Sequence, residues 1–388
     1  MERSVLAFGA FGDGFHDDYA AFQAALDAGA GTVIVPQGIY LISQTLKIGS
    51  NTAIMANRGA KIVMKSLSRR KRNDFLLSNK DTVSGNQNIR ISGGIWDGNN
   101  TAPENAKADI FDKEGYSGAM LNFVNIEHLE LRDMVVANSS AYYVRFCKVH
   151  HFVIDGIDFV CDHFSKNQDG LHFCGDVKHG CVSNIRVLSY GQTNDDLIAL
   201  NADDSIERVE NLDLCRDTIE DITFENIFAE NCHTIIRILS VTAEIKNIRF
   251  KNIIGGFRCH ALNADAARHC RTPLFEEDDY PNGVGKISDI CIENFTCYPV
   301  HTLPEGFGGS KAKPRPALRL ESHMDRFRIV NFNYVGEDNS MRGYPAVKAT
   351  NLCGARICAD NKEYLLQRKE DLLVLDTFKD ITIDHIEE

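Results

Sequence analysis

The sequence predicts an all-β protein, a single-stranded right-handed parallel β-helix closed at its start by a short capping helix. Three observations predict it. A strand-sized pattern returns nine times, turn-forming residues border the copies, and an alanine-rich segment lies near residue 20.

The repeat is a polar residue, two apolar residues flanking a polar one, then a turn residue and another apolar side chain. It reads Asn88-Ile89-Arg90-Ile91, His128-Leu129-Glu130-Leu131, His151-Phe152-Val153-Ile154-Asp155-Gly156-Ile157 and Asn184-Ile185-Arg186-Val187. Further copies begin at Asp221, Asn247, Asp289, Arg326 and Asp380. Alternation at period two is the mark of a strand, and Asn, Asp or Gly tolerates the left-handed backbone of a tight turn. The first apolar residues of the copies are 40, 23, 33, 37, 26, 42, 37 and 54 residues apart. The shortest intervals set an uninterrupted coil, and the longer ones carry loops. One strand cannot bury its inner face alone, so the copies stack and share a core. A propeller would repeat at about 40–45 residues with four strands per blade, and a leucine-rich solenoid would need a consensus absent here.

At the start, Tyr19-Ala20-Ala21-Phe22-Gln23-Ala24-Ala25-Leu26-Asp27-Ala28 favours a helix, with Asp17 and Asp18 before it and Gly29 beyond it. Strands at 32–36 and 39–42 follow across a turn at Gln37-Gly38. The helix would cover the solenoid's open edge. Residues 1–50 therefore form the cap and first coil, and 51–388 the β-helix, as one domain overall.

Composition narrows the function. No apolar run reaches the roughly 18 residues a membrane span needs. No basic segment followed by an apolar stretch opens the chain, which makes the cytoplasm the expected location. A net charge of -12 disfavours a nucleic-acid backbone as ligand, and Ser68-Arg69-Arg70-Lys71-Arg72 reads as a solvated loop. The 12 cysteines are scattered without a CxxC, so buried reduced thiols are expected. No metal or other cofactor is called for.

The densest polar cluster runs Asn167-Gln168-Asp169-Gly170-Leu171-His172-Phe173 and then Gly191-Gln192-Thr193-Asn194-Asp195-Asp196. Asp169 and Asp195 are 26 residues apart, about one coil, which gathers three carboxylates on one flank. Grouped carboxylates split their pKa values into an acid and a base, the division glycoside hydrolysis needs. The competing reading makes Asp195 and Asp196 ordinary turn residues.

Two resemblances extend this reading. The stretch from Phe8-Gly9-Ala10-Phe11-Gly12-Asp13-Gly14 to Asp17-Asp18 resembles the opening of the pectate-lyase-like β-helix superfamily, which makes Asp13, Asp17 and Asp18 structural cap residues. Asn138-Ser139, Asn167-Gln168-Asp169-Gly170 and Asn194-Asp195-Asp196 resemble the core of glycoside hydrolase family 28, the polygalacturonase group. That resemblance implies Asp195 as general acid, with Asp169 and Asp196 holding the attacking water. It implies inversion, with acid and base about 6.5–9.5 Å apart. Arg237, in Arg237-Ile238-Leu239, would match the family's substrate-contacting arginine. Leu239 stands where the family has lysine, and no Gly-His-Gly lies between Asp196 and Arg237, which points away from polygalacturonate.

Further substrate contacts are expected from His172, Asn167 and Asn194, and from Tyr143 and Arg145, with Tyr142, one coil before Asp169. His163 and His233 are weaker candidates, and Trp96 reads equally as core or stacking residue. Insertions at 97–119, 255–286 and 298–317 would wall the groove and favour exo action on short oligosaccharides. The leading expectation is an inverting glycoside hydrolase acting on an oligosaccharide or polysaccharide. The alternatives are a lyase or epimerase on the same fold using Ca²⁺, and a non-catalytic carbohydrate-binding solenoid.

Overall fold

The computed structural model describes residues 1–65, 70–101, 116–203, 214–266, 275–281, 283–301, 316–335, 347–349, 355–359 and 362–366. They form a right-handed parallel β-helix. Strand pairing is parallel from coil to coil, and the one antiparallel pair among the described residues joins Ala355–Ala359 to Lys362–Leu366. The copy beginning at Asp380 lies outside the described residues.

Inward positions carry the apolar residues of the repeat. Ile222, Phe224, Ile248, Phe250, Ile290 and Ile292 are all buried in one continuous core. Like residues stack on like, as Phe224 on Phe250 with ring centroids 4.6 Å apart and Phe146 on Phe173 at 4.8 Å. The polar residues that border the copies turn the corners in the left-handed region, among them Asn184 (φ 55°), Asn226 (φ 59°), Asn252 (φ 58°), Asn294 (φ 57°) and Asn331 (φ 55°). Their side chains continue the ladder at one corner. Asn226 donates to Asn184 (3.2 Å), Asn252 to Asn226 (3.1 Å), Asn294 to Asn252 (3.0 Å) and Asn331 to Asn294 (2.9 Å). Asparagine serves here twice: its backbone tolerates the corner, and its amide both donates and accepts.

The cap helix runs Tyr19–Asp27 and buries Phe22, Ala25 and Leu26. Asp18 makes no side-chain cap bond to it. Its carboxylate instead accepts from the backbone N–H groups of Phe11 (2.6 Å) and Gly12 (3.1 Å), pinning the preceding loop. Asp13 accepts from Phe15 and His16 in the same way. The basic run departs from expectation where it is described. Arg70 is buried and donates to the carbonyls of Phe75 (2.7 Å) and Ile42 (3.0 Å) rather than lying in a solvated loop. Among the described residues, no helix is long and apolar enough to cross a membrane.

Register confirms the two shortest coils: Leu129 pairs with Phe152, and Ile222 with Ile248. It corrects the coil between them. Phe152 lies against Gly180, and Ile185 against Ile157, so the copy at Asn184 belongs to the second half of its coil. The missing first half was hidden because glycine occupies its inward position. A Cβ on Gly180 would overlap the ring of Phe152. Gly180→Ala is therefore expected to destabilise the fold by about 1–3 kcal/mol, as overpacking does. Chemical denaturation reads the loss, and an unchanged midpoint would mean that the ring moves aside freely.

The expected insertion at 255–286 begins late, because its first ten residues close the strand Glu244–Ala264. The inner parts of the three insertions, 102–115, 267–274 and 302–315, lie outside the described residues.

Candidate active site

Five successive coils build one pocket. Asp169 precedes the strand Leu171–Phe173, and Asp196 opens the strand Asp196–Asn201. Leu171 lies against Ile198, and the Gly170 N–H donates to the Asp196 carbonyl at 2.9 Å. Asp169 and Asp196 therefore stand one above the other, about a strand spacing of 4.8 Å apart. Asp195 ends the turn before, its carbonyl accepting from Thr193 Oγ1 at 3.0 Å. On the next coil Thr234 lies against Asp196, which brings His233 Nδ1 to 3.5 Å from Asp195 Oδ1. Beyond it, Arg237, Asn263 and Arg319 align in register. With Asn167, Asn201, Leu239, Cys259, His260 and Asp265, these residues line a pocket of about 380 Å³. That volume suits a small organic ligand.

The carboxyls differ sharply in their hold on a proton. Burial, then the neighbouring charges of Asp195 and Asp169, push Asp196 well above the usual carboxylate range. Burial also opposes the charge of Asp195, but the hydrogen bond and charge of His233, then Arg237, outweigh it and hold that carboxyl below its ordinary value. Burial likewise disfavours the His233 cation, yet Asp195 and then Cys259 raise His233 to about 10. Cys259 is pushed up by burial but brought down to about 5 by His233 and His260. Of the two neighbours, Asp196 therefore holds its proton the more tightly. The resemblance implies the acid role for Asp195, whereas these shifts favour its neighbour as the proton holder.

Ligand atoms of Asp195, Asp196 and His233 lie within 4.8 Å of one another. That is closer than the 6.5–9.5 Å expected between an inverting acid and base. One of the three atoms is a nitrogen, whereas Ca²⁺ takes six to eight oxygens, so the group is not the calcium cage a lyase would use.

The other expected residues divide. Asn167 lines the pocket and donates to Asp195 Oδ2 at 3.3 Å. Arg237 also lines it, but its guanidinium is held by buried Asp265 at 2.8 Å. His172 faces this flank without reaching the pocket. It is fully buried, bonds Asp169 Oδ2 through Nδ1 at 2.6 Å, and lies under the Tyr142 ring at 3.9 Å, so it positions Asp169 rather than sugar. Tyr143 is corrected outright. Alternation turns it into the core, where its hydroxyl meets Gln192 Oε1 at 3.2 Å. Arg145 stands in the same outward column as His172 but is buried, donating to Asn122 Oδ1 at 2.9 Å with its guanidinium over Phe75. Asn194 spends both ends of its amide on the turn, donating to the Ser165 carbonyl (2.8 Å) and accepting from Arg258 (2.9 Å). Trp96 is a core residue.

Sequence reasoning missed Asn201, Cys259, His260, Asn263, Asp265 and Arg319, and ranked His233 too low. One signal was available. Asn263 follows Arg237 by 26 residues, the length of an uninterrupted coil.

Comparison with known proteins places this geometry. The model of the family described as rhamnogalacturonase A/epimerase, pectate lyase-like, matches residues 2–258. The pre-neck appendage protein of Bacillus phage phi29 is 37% identical over 97 residues, which are 25% of this chain and 11% of the phage protein. A probable polygalacturonase of Arabidopsis thaliana is 26% identical over 254 residues, 59% of this chain and 51% of the plant protein. The chain thus spans from about a tenth to about half of these relatives. The hyperthermoactive exopolygalacturonase of Thermotoga maritima superposes with a TM-score of 0.54 at 14% identity, covering 95% of this chain and 94% of that one. At that identity the likeness is one of fold.

Proposed function

The chain belongs to the rhamnogalacturonase A/epimerase, pectate lyase-like family, and on that premise we propose that it is an exo-acting glycoside hydrolase of oligosaccharides, inverting by its resemblance to glycoside hydrolase family 28 although its carboxyls stand closer than inversion usually shows. The observation that carries the reading is the cluster of Asp169, Asp195 and Asp196 at the wall of a sugar-sized pocket, where Asp196 holds its proton more tightly than Asp195.

In the proposed course, Asp196 gives its proton to the glycosidic oxygen as the bond from that oxygen to the anomeric carbon breaks. Asp195 takes a proton from water, whose oxygen forms the new bond to the same carbon. A proton returned from Asp195 to Asp196 resets the pair. His172 fixes Asp169 and Asn167 steadies Asp195, so neither carboxylate reorients during the reaction.

The test is reducing-end release across a panel of plant and microbial oligosaccharides, with the first product read by proton NMR. Single sugars of inverted anomeric configuration are expected. Internal fragments appearing first would sink exo action, and a retained anomer would mean that Asp195 attacks the sugar directly, as the short carboxyl spacing permits.

A second reading is favoured by the phage appendage relative: a carbohydrate-binding solenoid without turnover. It predicts sugar binding with no reducing ends released from any panel member.

A further inference from the structure

We propose that Asp265 makes this pocket a subsite for an uncharged sugar unit and turns away uronates. The inference rests on the reading above only in taking a carbohydrate as the ligand.

Two adjacent rows of side chains carry it. In the first, Arg237, Asn263 and Arg319 stand in register on successive coils. In the second, two residues further along each strand, stand Leu239, Asp265 and Glu321. The guanidiniums of the first row are met by the carboxylates of the second. Arg237 Nη2 lies 2.8 Å from Asp265 Oδ1, Arg319 Nη1 3.2 Å from Asp265 Oδ2, and Arg319 Nη2 2.7 Å from Glu321 Oε2. Asp265 is wholly buried. The two cations are balanced by these two anions before any ligand arrives. The remaining cation of the lining, His233, is already taken by Asp195 at 3.5 Å, so a uronate carboxylate would enter beside Asp169 and Asp265 with no cation left to it, and like charges brought together in a desolvated site repel strongly.

What the pocket offers instead suits hydroxyls. Asn201 Oδ1 and Asn263 Oδ1 are buried and have no hydrogen-bond partner among the described residues, and both residues line the pocket. A buried carbonyl oxygen asks for a donor, which a sugar hydroxyl supplies and a carboxylate lacks. Leu239, opposite Asn201 in the strand register, adds an apolar surface for the C–H face of a ring. The ligand class is an uncharged, hydroxyl-rich hexose or deoxyhexose unit.

Binding of the full chain to galacto-, gluco- and rhamno-oligosaccharides, and to oligogalacturonides of matched length, tests this by titration calorimetry. The wild-type chain should bind at least one neutral series about tenfold or more tighter than the oligogalacturonides. Asp265→Asn should narrow that gap by releasing the two arginines. Wild-type affinity for the neutral series should also stay flat as salt is raised, a readout that stands even if the variant fails to fold. Tighter binding of oligogalacturonides by the wild type, or binding of neither class, overturns the proposal. Neutral sugars bound but never cleaved would fail the hydrolase reading and leave this selectivity standing, whereas cleavage of oligogalacturonides alone would do the reverse.

Discussion

Asp196→Asn is expected to lower turnover by about a thousandfold while leaving sugar affinity nearly unchanged. General acid catalysis contributes roughly 10²–10⁴ in rate, and an amide of the same shape has no proton to transfer. The prediction is sharp because burial and two neighbouring carboxylates strengthen the hold of Asp196 on its proton. In the proposed acid role the substitution exchanges one neutral group for another, so the charge balance of the pocket is preserved. Asp195→Asn would be a blunter probe, since it also removes the partner that holds His233 charged. Turnover from reducing-end release and affinity from titration separate the outcomes. A variant within tenfold of wild-type turnover would show that Asp196 is not the donor.

The fold was legible because two independent signals coincide in each described copy. Alternating apolar residues give the strand, and Asn or Asp at its border gives the corner, where the structure finds left-handed backbone. The reading slipped at Gly180, where close packing under Phe152 removed the apolar residue the pattern needed. The aspartate trio was legible for a related reason: Asp169 and Asp196 are separated by an almost uninterrupted coil. The far wall was not. Ile198 pairs with Ile236, 38 residues on, and Leu262 with Leu318, 56 residues on, so inserted loops break the spacing that would have aligned Asn201 with Leu239 or Asn263 with Arg319. Arg145 failed for a different reason. Its outward direction was readable, but capture by Asn122 on the neighbouring coil depends on a three-dimensional match that spacing does not express.

The pH profile of the wild-type protein should be a bell, and His233→Gln should move it to higher pH. The active state needs Asp195 ionised and Asp196 protonated. Activity therefore rises as pH climbs through the lowered pKa of Asp195, and falls as pH climbs through the raised pKa of Asp196. After burial, which opposes it, His233 is the main influence on Asp195, through both a hydrogen bond and its charge, with Arg237 and His172 acting more weakly. Glutamine keeps a hydrogen-bonding amide near the carboxylate but removes the positive charge, so the pKa of Asp195 rises. The acid limb should shift upward by about one unit, the size of effect a single adjacent charge produces. His233 also lowers Asp196, though less than burial, Asp195, Asp169 and Arg237 act on it, so the alkaline limb should move the same way by less. Below the midpoint of the wild-type acid limb, the variant should then fall about tenfold further than it does near the optimum. The measurement is kcat/KM across the full range of stability for both proteins. An acid limb that stays in place would mean that Asp195 owes its ionisation to Arg237 instead, and that His233 is a bystander to the reaction.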